Sequence, residues 1–527
     1  MSKIILVFSL LINLTLYANE KYNVIVYGAT PAGVITSINL AQKGYKVLIV
    51  EPTNCVGGMY AGGLTTSEIM HMIRGCISGM SEEYYIRLGY NTPEGYFQDF
   101  KPGKPAYFFE CKTAEKTFLE WLDEYKTKIT IIHGQRVIDV KKKKTIIESI
   151  TIENKNTYFA DFFVDCSYEG DLMKYSGVSY TTGREAKAEY NETYAGIRFQ
   201  PDTIYGTTKD KTGKRLAFFK ELSVFKEGTA DNCVAAYNYR CIVTQVKENQ
   251  VPFTKPNNYT AETYDHVADY LRRNPQATLR DFVAIIKRGN GKTEFNTRQI
   301  GSETVSIDLS GFHCDYPLAS YETRDKIRDQ FKNYTKGLYY FLSYDERGSD
   351  TIRNEMRTYG YAKDEFVRNE NFPYQFYIRE ALRLKGEYIM TEHDLFTKRT
   401  KEDAILLGSH YIDCHSIQKI ALSDTSYIKE GNIWVEMKQP YEIPYSAILP
   451  KRTECENLLV PVCVSSSHVA FCSIRLESTW MQLGHAAALA IDMANKTRSK
   501  LHNIVVKDLQ TKLREEKMIV KIEELKF

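Results

Sequence analysis

The stretch Asn23–Pro52, NVIVYGATPAGVITSINLAQKGYKVLIVEP, constrains the fold more than any other part of the chain. It contains two short apolar runs, Asn23–Tyr27 and Lys46–Val50, whose β-branched residues predict buried strands. Between these runs Pro31 suits the first position of a helix, apolar residues recur at helical spacing, and Gly44 is expected to end the helix. The stretch therefore predicts a βαβ unit, the beginning of an α/β fold.

The turn between the first strand and the helix has the composition of a nucleotide-binding turn. Gly28 permits the tight turn and Gly33 allows helix and strand to pack closely, while Thr30 stands where the common fingerprint has its second glycine. The Thr30 hydroxyl adds a hydrogen-bond donor for a phosphate at the helix N-terminus. Glu51 is placed to accept hydrogen bonds from ribose hydroxyls, and its charge argues against the 2′-phosphate of NADP. The motif alone leaves two interpretations open, a dinucleotide site and a βαβ crossover without a ligand.

Two glycine pairs follow Glu51 in the sequence TNCVGGMYAGGL, namely Gly57-Gly58 and Gly62-Gly63. Paired glycines allow the backbone to run tightly against a large planar cofactor. With these motifs the chain resembles the FAD-dependent oxidoreductases of the glutathione-reductase-like FAD fold, and within them a group of bacterial, often exported proteins. In that family YGATPAGV, with threonine in the middle, is a familiar form of the fingerprint.

The resemblance extends over most of the chain in the order of the family. It returns at ADFFVDCSYEGDLMKYSGVSYTTGRE (160–185), at AKDEFVRNENFPYQFYIREALRLKGEYIMTEHDL (362–395) and at IPYSAILPKRTECENLLVPVCVSSSHVAFCSIRLESTWMQLGHAAALA (443–490). One departure is Cys76 in RGCISG, where a glycine is expected. That departure leaves the path of the loop near the flavin open.

The resemblance implies a fold, a cofactor and a set of binding residues. The implied fold is α/β, with a Rossmann-like FAD-binding domain of the three-layer ββα type and an inserted mixed α+β substrate domain. The implied cofactor is FAD, and Val137 is expected to contact its adenine side through the backbone. The residues expected to bind FAD are Gly28, Ala29, Thr30, Pro31, Ala32, Gly33, Glu51, Gly57, Gly58, Met59, Gly63 and Val137.

Pattern along the chain predicts five segments. They are a signal peptide (1–18), the first part of the FAD-binding domain (19–182), a substrate or cap domain (183–441), the returning strand and helix of the FAD-binding domain (442–500) and a C-terminal piece packing on the body (501–527). The elements expected in the later segments are a helix over Tyr374–Tyr388, a buried strand in ENLLVPVCVSSS, a helix over Ser478–Asn495 and a C-terminal helix with Leu509 and Leu513 on one face.

The first eighteen residues predict export. Lys3 precedes an apolar stretch from Ile4 to Leu16, and Ala18 comes before a polar run, which is the pattern of a secretory signal peptide. The mature chain is then expected in the periplasm or outside the cell, with no membrane span, because no other segment approaches roughly 20 apolar residues. An uncleaved anchor or a buried first strand is the alternative.

Charge and cysteine usage exclude some classes of protein. A formal net charge of +3 over 527 residues gives no electrostatic case for nucleic acid or for an anionic membrane surface. The eleven cysteines are odd in number and scattered, so they indicate no disulfide framework. Cys166 and Cys463 lie in apolar runs and are expected to be buried free thiols.

The loop SSSHVAFCSIR holds the first candidates for chemistry. The resemblance places this loop beside the flavin, so His468 is predicted as general acid or base and Arg475 as an electrostatic partner of the flavin or of an anionic substrate. A role in merely tying the loop together is the alternative. Tyr445 in EIPYSAILP is a second candidate, and His415 is a third if neither of the others acts.

The histidines of TEHDL and GSHYIDCHS do not predict a metal site. His393, His410, Asp413 and His415 are suitable ligand types. Their spacing matches no common zinc pattern, and there is no HExxH motif. Lining a substrate pocket or forming buried hydrogen bonds is the favoured interpretation.

Two missing motifs narrow the reaction. RGNGKTEF lacks a preceding apolar strand, so there is no second nucleotide fingerprint and no resident NAD(P)H site is expected. No closely spaced cysteine pair lies near the expected isoalloxazine segment, which argues against a flavin disulfide reductase. A carbon substrate remains, with oxygen, a quinone or a carrier protein as external electron acceptor.

Three hypotheses for the function follow. The leading one is an exported FAD-dependent oxidoreductase acting on a small polar molecule such as a carbohydrate or a hydroxy or amino compound, by hydride transfer to or from the flavin. The second is a flavin-dependent lyase or isomerase without net redox change. The third is a flavoprotein without catalytic activity.

Overall fold

The computed structural model describes residues 21–73, 75–93, 96, 102–297, 306–397 and 399–525. The expected signal peptide, residues 1–18, lies outside this range. Among the helices of the described ranges, none has the length and apolar character required to cross a bilayer.

The N-terminal region, 21–182, is built on a parallel sheet. Its strands are β1 (Lys21–Tyr27), β2 (Val47–Glu51), β3 (Ile129–His133), β4 (Val137–Lys143), β5 (Ile146–Ile152), β6 (Thr157–Asp165) and β7 (Tyr180–Thr181). Its helices are α1 (Pro31–Gln42), α2 (Gly58–Gly62), α3 (Gly79–Asn91), α4 (Cys111–Asp123) and α5 (Asp171–Tyr175). The predicted βαβ unit is confirmed as β1, α1 and β2.

The sheet contains four parallel strands in the order β3-β2-β1-β6. It continues with β5, which pairs antiparallel with the first part of β6, and then with β4. Val24, Ile25 and Val26 of β1 are fully buried, as expected for a strand covered on both faces. The carboxyl ends of β1, β2 and β6 therefore meet at one edge of the sheet.

The middle region carries smaller, mostly antiparallel sheets. Its strands are β8 (Ile204–Tyr205), β9 (Lys220–Glu221), β10 (Cys241–Thr244), β11 (Gln250–Val251), β12 (Ala284–Lys287), β13 (Lys292–Asn296), β14 (Gly360–Ala362), β15 (Arg383–Leu384), β16 (Ala404–Gly408), β17 (Ile412–Cys414), β18 (Gln418–Ala421), β19 (Ser426–Glu430), β20 (Ile433–Val435) and β21 (Tyr441–Pro444). Its helices are α6 (Lys187–Tyr190), α7 (Asp265–Arg273), α8 (Tyr321–Tyr344), α9 (Asp350–Met356) and α10 (Glu392–Phe396). The largest of these sheets has the order β11-β14-β10-β13-β12.

The C-terminal region returns to the parallel sheet. It comprises β22 (Leu458–Leu459), which pairs with β6, and the helices α11 (His468–Ile474), α12 (Glu477–Thr497) and α13 (Val506–Glu515). The predicted helix Ser478–Asn495 is confirmed as part of α12, and Leu509 and Leu513 are buried on α13 as expected.

The helices α1 and α12 pack in close contact. At Gly484 of α12 a Cβ atom would lie 2.5 Å from the carbonyl oxygen of Ala32 and 2.7 Å from Thr36 Oγ1. One hydrophobic core contains side chains of α1, α12 and the middle region. The division into an FAD-binding and a substrate domain therefore stays a prediction.

One expectation about local structure is wrong. The segment Tyr374–Tyr388 is described throughout and forms no helix, because its N–H groups donate to other segments: Gln375 N to Gly62 O at 3.2 Å and Tyr377 N to Asn238 O at 2.9 Å. The buried strand expected in ENLLVPVCVSSS is confirmed as β22, which covers only Leu458–Leu459.

The cysteines include one disulfide, Cys233–Cys314, whose members are 81 residues apart in sequence. So long a separation gives no local spacing signal, and the sequence did not indicate this pair. The other nine cysteines are buried and free, which confirms the expectation for Cys166 and Cys463.

Candidate active site

A narrow cleft lies where β1, β2 and β6 end. Its described lining consists of Gly28, Thr30, Glu51, Pro52, Thr53, Gly58, Ser167, Tyr168, Glu169, Arg328 and Gln375. We refer to it as the N-terminal cleft. The carboxyl edge of a parallel sheet is where such folds bind their ligands.

Two glycines give the N-terminal cleft its shape. Gly28 has φ of +100°, and a Cβ atom there would lie 2.8 Å from the carbonyl oxygen of Cys166. Gly58 has φ of +48°, and a Cβ atom there would collide with the Tyr168 hydroxyl. Both positions require glycine, since L side chains avoid this left-handed region and no room exists for them.

Thr30 has a structural role that differs from the expected one. Its hydroxyl donates to the carbonyl oxygen of Cys166 at 2.8 Å and accepts from Gly33 N at 3.4 Å, so it caps α1 and ties the turn to β6. Because a hydroxyl has a single proton, this hydrogen bond competes with donation to a phosphate. The expectation that Thr30 acts as a phosphate donor stays a prediction.

Glu51 is buried at the cleft, with 5% of its surface exposed. Its Oε2 accepts from Ala29 N at 2.6 Å, and its Oε1 accepts from Thr53 N at 2.7 Å and from Thr53 Oγ1 at 2.6 Å. Burial raises the pKa of this carboxyl to about 7, against the lowering effect of these hydrogen bonds. An ionised carboxylate has about four acceptor sites, so Glu51 can hold the turn and still accept from a ribose.

The other residues expected to bind the cofactor surround this cleft or lie next to it. Ala29, Pro31 and Ala32 form the turn and the first turn of α1, while Gly57 and Met59 flank Gly58. Gly63 lies beside Arg240, with φ of +156°. Val137 is fully buried, and its carbonyl oxygen accepts from Tyr321 Oη at 2.7 Å, so the expected adenine contact through this backbone stays a prediction.

A second and larger space, of about 910 Å³, lies between the sheets of the middle region. Its described lining consists of Glu68, His71, Gln200, Asp202, Thr203, Ile204, Arg240, Ala284, Asn296, Thr297, His410, Asp413, His415, Lys429, Asn432 and Trp434. We refer to it as the central cavity. The chain from Gly58 to Glu68 leads from the N-terminal cleft to this cavity.

Three arginines surround Tyr377, and one of them, Arg240, lines the central cavity. The guanidinium groups of Arg240 and Arg379 lie 5.0 Å and 4.5 Å from the Tyr377 ring centroid, and Arg475 Nη1 donates to Tyr377 Oη at 3.3 Å. We name Arg240, Arg379 and Arg475 the arginine cluster. Within the described chain, Nε and Nη2 of the fully buried Arg379 have no hydrogen-bond partner. Buried guanidinium N–H groups in this condition suit an anionic or strongly polar ligand.

His415 forms a buried pair with Asp308 at the wall of the cavity. His415 Nδ1 and Asp308 Oδ2 are 2.6 Å apart, and Asn238 Nδ2 donates to the other carboxylate oxygen at 2.6 Å. Because a carboxylate only accepts, the proton lies on Nδ1 and Nε2 is the basic nitrogen. Burial, followed by the charge of Arg379, lowers the pKa of His415 although Asp308 raises it. The imidazole is therefore held neutral near pH 7.

Two further pairs of polar side chains involve residues of the cavity lining. His410 Nε2 is 3.9 Å from Glu68 Oε2, and Asp413 binds Arg475 through Oδ2 at 2.9 Å. Arg475 is thus held by a carboxylate of the cavity wall. The expectation that Arg475 acts as an electrostatic partner stays a prediction.

The structure does not bring the other two catalytic candidates to the cavity. His468 Nδ1 lies 2.7 Å from Glu380 Oε2, the ring is 1% exposed, and the described lining of the cavity does not include it. Burial and then the charge of Arg383 hold its pKa well below the usual range. Tyr445 donates to the carbonyl oxygen of Leu501 at 3.1 Å and packs against the C-terminal segment instead.

Sequence reasoning missed Asp308, Arg240 and Arg379. None of them lies in a motif, and Asp308 is 107 residues from its partner His415 in sequence. The only available signal was the enrichment of charged residues in the stretch 362–395, which does not single out Arg379.

A family model described as FAD dependent oxidoreductase matches residues 23–513. The chain belongs to this family. It is an FAD-dependent oxidoreductase, and its cofactor is FAD. A search of curated proteins finds no match.

Several solved structures match parts of this chain. The anhydrotetracycline hydroxylase OxyS from Streptomyces rimosus is 15% identical with a TM-score of 0.24, over 36% of this chain and 38% of that one. THI4 from Thermovibrio ammonificans is 22% identical with a TM-score of 0.23, over 31% and 64%. The thioredoxin reductase of T. acidophilum is 17% identical with a TM-score of 0.17, over 32% and 40%. The chain thus spans less than two thirds of each of these proteins.

The residues of this oxidoreductase fit FAD. Gly28 and Gly58 allow the tight backbone turns that line the N-terminal cleft, and Glu51 offers carboxylate oxygens for a ribose. Arg379 has buried N–H groups without a hydrogen-bond partner in the described chain. The carbonyl of Val137 and the hydroxyl of Thr30 already have partners within the chain.

Proposed function

We propose that this protein is an exported oxidoreductase that acts on a small polar molecule, such as a carbohydrate or a hydroxy or amino compound, in the central cavity. In this proposal Glu51 and the glycines of the N-terminal cleft hold the nucleotide end of FAD. The observation that carries the proposal is the Asp308–His415 pair on the cavity wall. It supplies a neutral base next to a space large enough for a sugar-sized molecule.

The lining of the central cavity supports a polar substrate. Nine of its sixteen described lining residues carry amide, carboxylate or imidazole groups, among them Gln200, Asp202 and Asn296. Trp434 is 46% exposed and its ring lies 5.2 Å from that of His71, nearly perpendicular to it. An exposed indole face beside hydrogen-bonding side chains suits a molecule with one apolar face and several hydroxyls.

His415 is the residue that we propose to move a proton. FAD supplies the hydride acceptor for oxidation of a carbon centre. As the substrate loses a hydride, His415 Nε2 takes the proton of its hydroxyl or ammonium group, and Asp308 stabilises the imidazolium that forms. Arg379, whose Nη1 is 3.6 Å from Asp308 Oδ1, keeps that carboxylate ionised.

Export is the second part of the proposal. The pattern of residues 1–18 supports it, and so does the Cys233–Cys314 disulfide, because disulfides persist mainly in oxidising compartments. The mature protein would then work in the periplasm or outside the cell. Identification of the mature N-terminus in culture or periplasmic fractions tests this part.

The catalytic proposal is tested with the purified, FAD-loaded protein. Sugars, hydroxy acids and amines are mixed with it anaerobically while the flavin absorbance is followed. We expect bleaching with at least one of these compounds, and loss of fast bleaching in His415→Asn with the FAD content unchanged. The matched control His393→Asn replaces a histidine outside the described cavity lining.

The same screen separates the other hypotheses. Product formation without bleaching would favour a lyase or isomerase over a net redox reaction. A protein that binds FAD and gives neither bleaching nor product with any compound of these classes would contradict the proposed substrate class.

A further inference from the structure

Three buried side chains with metal-binding atoms lie together behind the cavity wall. Cys414 is the last residue of β17, and His468 and Cys472 lie on α11. His468 Nε2 is 3.6 Å from Cys414 Sγ and 3.9 Å from Cys472 Sγ, and the three atoms lie within 4.8 Å of one another. The proposed reaction uses none of these three groups.

We propose that Cys414, His468 and Cys472 bind a zinc ion. Zinc bonds to cysteine sulfur at about 2.3 Å and to histidine nitrogen at about 2.0–2.1 Å, usually as a tetrahedron. The distance between two ligand atoms of a tetrahedron is about 1.6 times the bond length, so sulfur and nitrogen are expected about 3.6 Å apart. The two distances from His468 Nε2 agree with that spacing.

Glu380 sets the histidine in the state that binds a metal. Its Oε2 lies 2.7 Å from His468 Nδ1 and, as a carboxylate oxygen, accepts the proton there. The lone pair of Nε2 is thereby directed towards the two sulfur atoms. A carboxylate behind a ligating histidine is the usual arrangement at zinc sites.

The backbone explains how the ligands come together. His468 and Cys472 are four residues apart on α11, so their side chains share one face of the helix. Side chains alternate along a strand, so Cys414 points to the opposite face of β17 from Asp413, which lines the cavity. The ion would join α11 to the back of β17 and so fix the strand that positions Asp413 and His415.

The charges of the site balance. Zinc binding converts two thiols to thiolates and releases two protons, which gives a neutral complex with the neutral histidine. Neutrality suits surroundings that contain Arg383 and Arg475, since an uncompensated dication would be repelled there. A water molecule would fill the fourth position, as in other sites with three protein ligands.

The test measures zinc in the FAD-loaded protein after chelator treatment and dialysis against zinc. We expect about one zinc per chain in the wild type. Cys414→Ala and Cys472→Ala should bind zinc at least about 100-fold more weakly, since removal of a ligand exceeds the effect of an outer-shell change. Cys455→Ala, at a buried cysteine outside the cluster, should bind as the wild type does.

Two further measurements keep the proposal falsifiable if a cysteine variant fails to fold. Cobalt(II) in place of zinc should give intense long-wavelength bands typical of tetrahedral thiolate coordination, and chelator should lower the Tm of the wild-type protein. Substoichiometric zinc without cobalt bands in the wild type would overturn the proposal. Copper in place of zinc, or a Cys414–Cys472 disulfide found by mass spectrometry, would overturn it as well.

Discussion

The N-terminal cleft and the central cavity differ in how much of their lining is local in sequence. Six of the eleven described residues that line the cleft, among them Gly28, Glu51 and Gly58, belong to one βαβ unit and the loop after it. The cavity is formed by side chains of segments as distant as Glu68 and Trp434. A site that binds a common cofactor can be set by a short motif, whereas a substrate site depends on how remote segments pack.

The largest effect of a substitution is expected in the central cavity, on the rate of flavin reduction. His415→Asn should slow flavin reduction by substrate by roughly 10²- to 10⁴-fold, the usual contribution of a positioned acid or base, and should keep FAD. In the wild type the rate should fall as pH drops through a pKa below the usual histidine range, because burial and Arg379 favour the neutral ring. Stopped-flow reduction across pH measures both effects, and an unchanged profile in the variant would remove His415 from the reaction.

The next largest effect of a substitution is expected in the N-terminal cleft, on the affinity for FAD. Glu51→Ala should weaken FAD binding by roughly 10- to 150-fold, because hydrogen bonds to a charged acceptor contribute about 1.5–3 kcal/mol. Titration of the apoprotein with FAD measures the change in Kd. Wild-type affinity in this variant would show that Glu51 holds only the turn at Ala29.

These two predictions differ in how far the sequence supports them. The position of Glu51 at the end of β2 and the helix Ser478–Asn495 could be predicted because a single motif and local periodicity specify them. The pairing of His415 with Asp308 could not be predicted, since it depends on long-range packing. The sequence pattern wrongly predicts a helix at Tyr374–Tyr388, because the hydrogen bonds of this segment go to remote partners.

A smaller effect, the pH dependence of FAD binding, should show how much the charge of Glu51 contributes. With a pKa of about 7, Glu51 is partly protonated near neutral pH, and a ribose that donates to it favours the ionised form. FAD should therefore bind more tightly as pH rises, by roughly tenfold between pH 6 and pH 8. Isothermal titration across this range tests the effect. The same slope in the non-titrating variant Glu51→Gln would assign it to another group.

The smallest effect is expected at Thr30. Thr30→Gly should keep FAD, because the hydroxyl proton is already donated to Cys166 within the chain. The free energy of unfolding should fall by about 1 kcal/mol through loss of this hydrogen bond and of the α1 cap. Urea denaturation measures the loss, and FAD release without loss of stability would show that Thr30 touches the cofactor.

We expect FAD to run from the N-terminal cleft to the central cavity, where His415 serves the reaction. A crystal structure of the FAD-loaded protein would show its path. It should have a ribose hydroxyl within hydrogen-bond distance of Glu51, and the flavin ring at the arginine cluster, facing the cavity that His415 lines. A flavin ring bound away from the central cavity, with Arg379 and His415 out of its reach, would mean that neither residue takes part in the reaction.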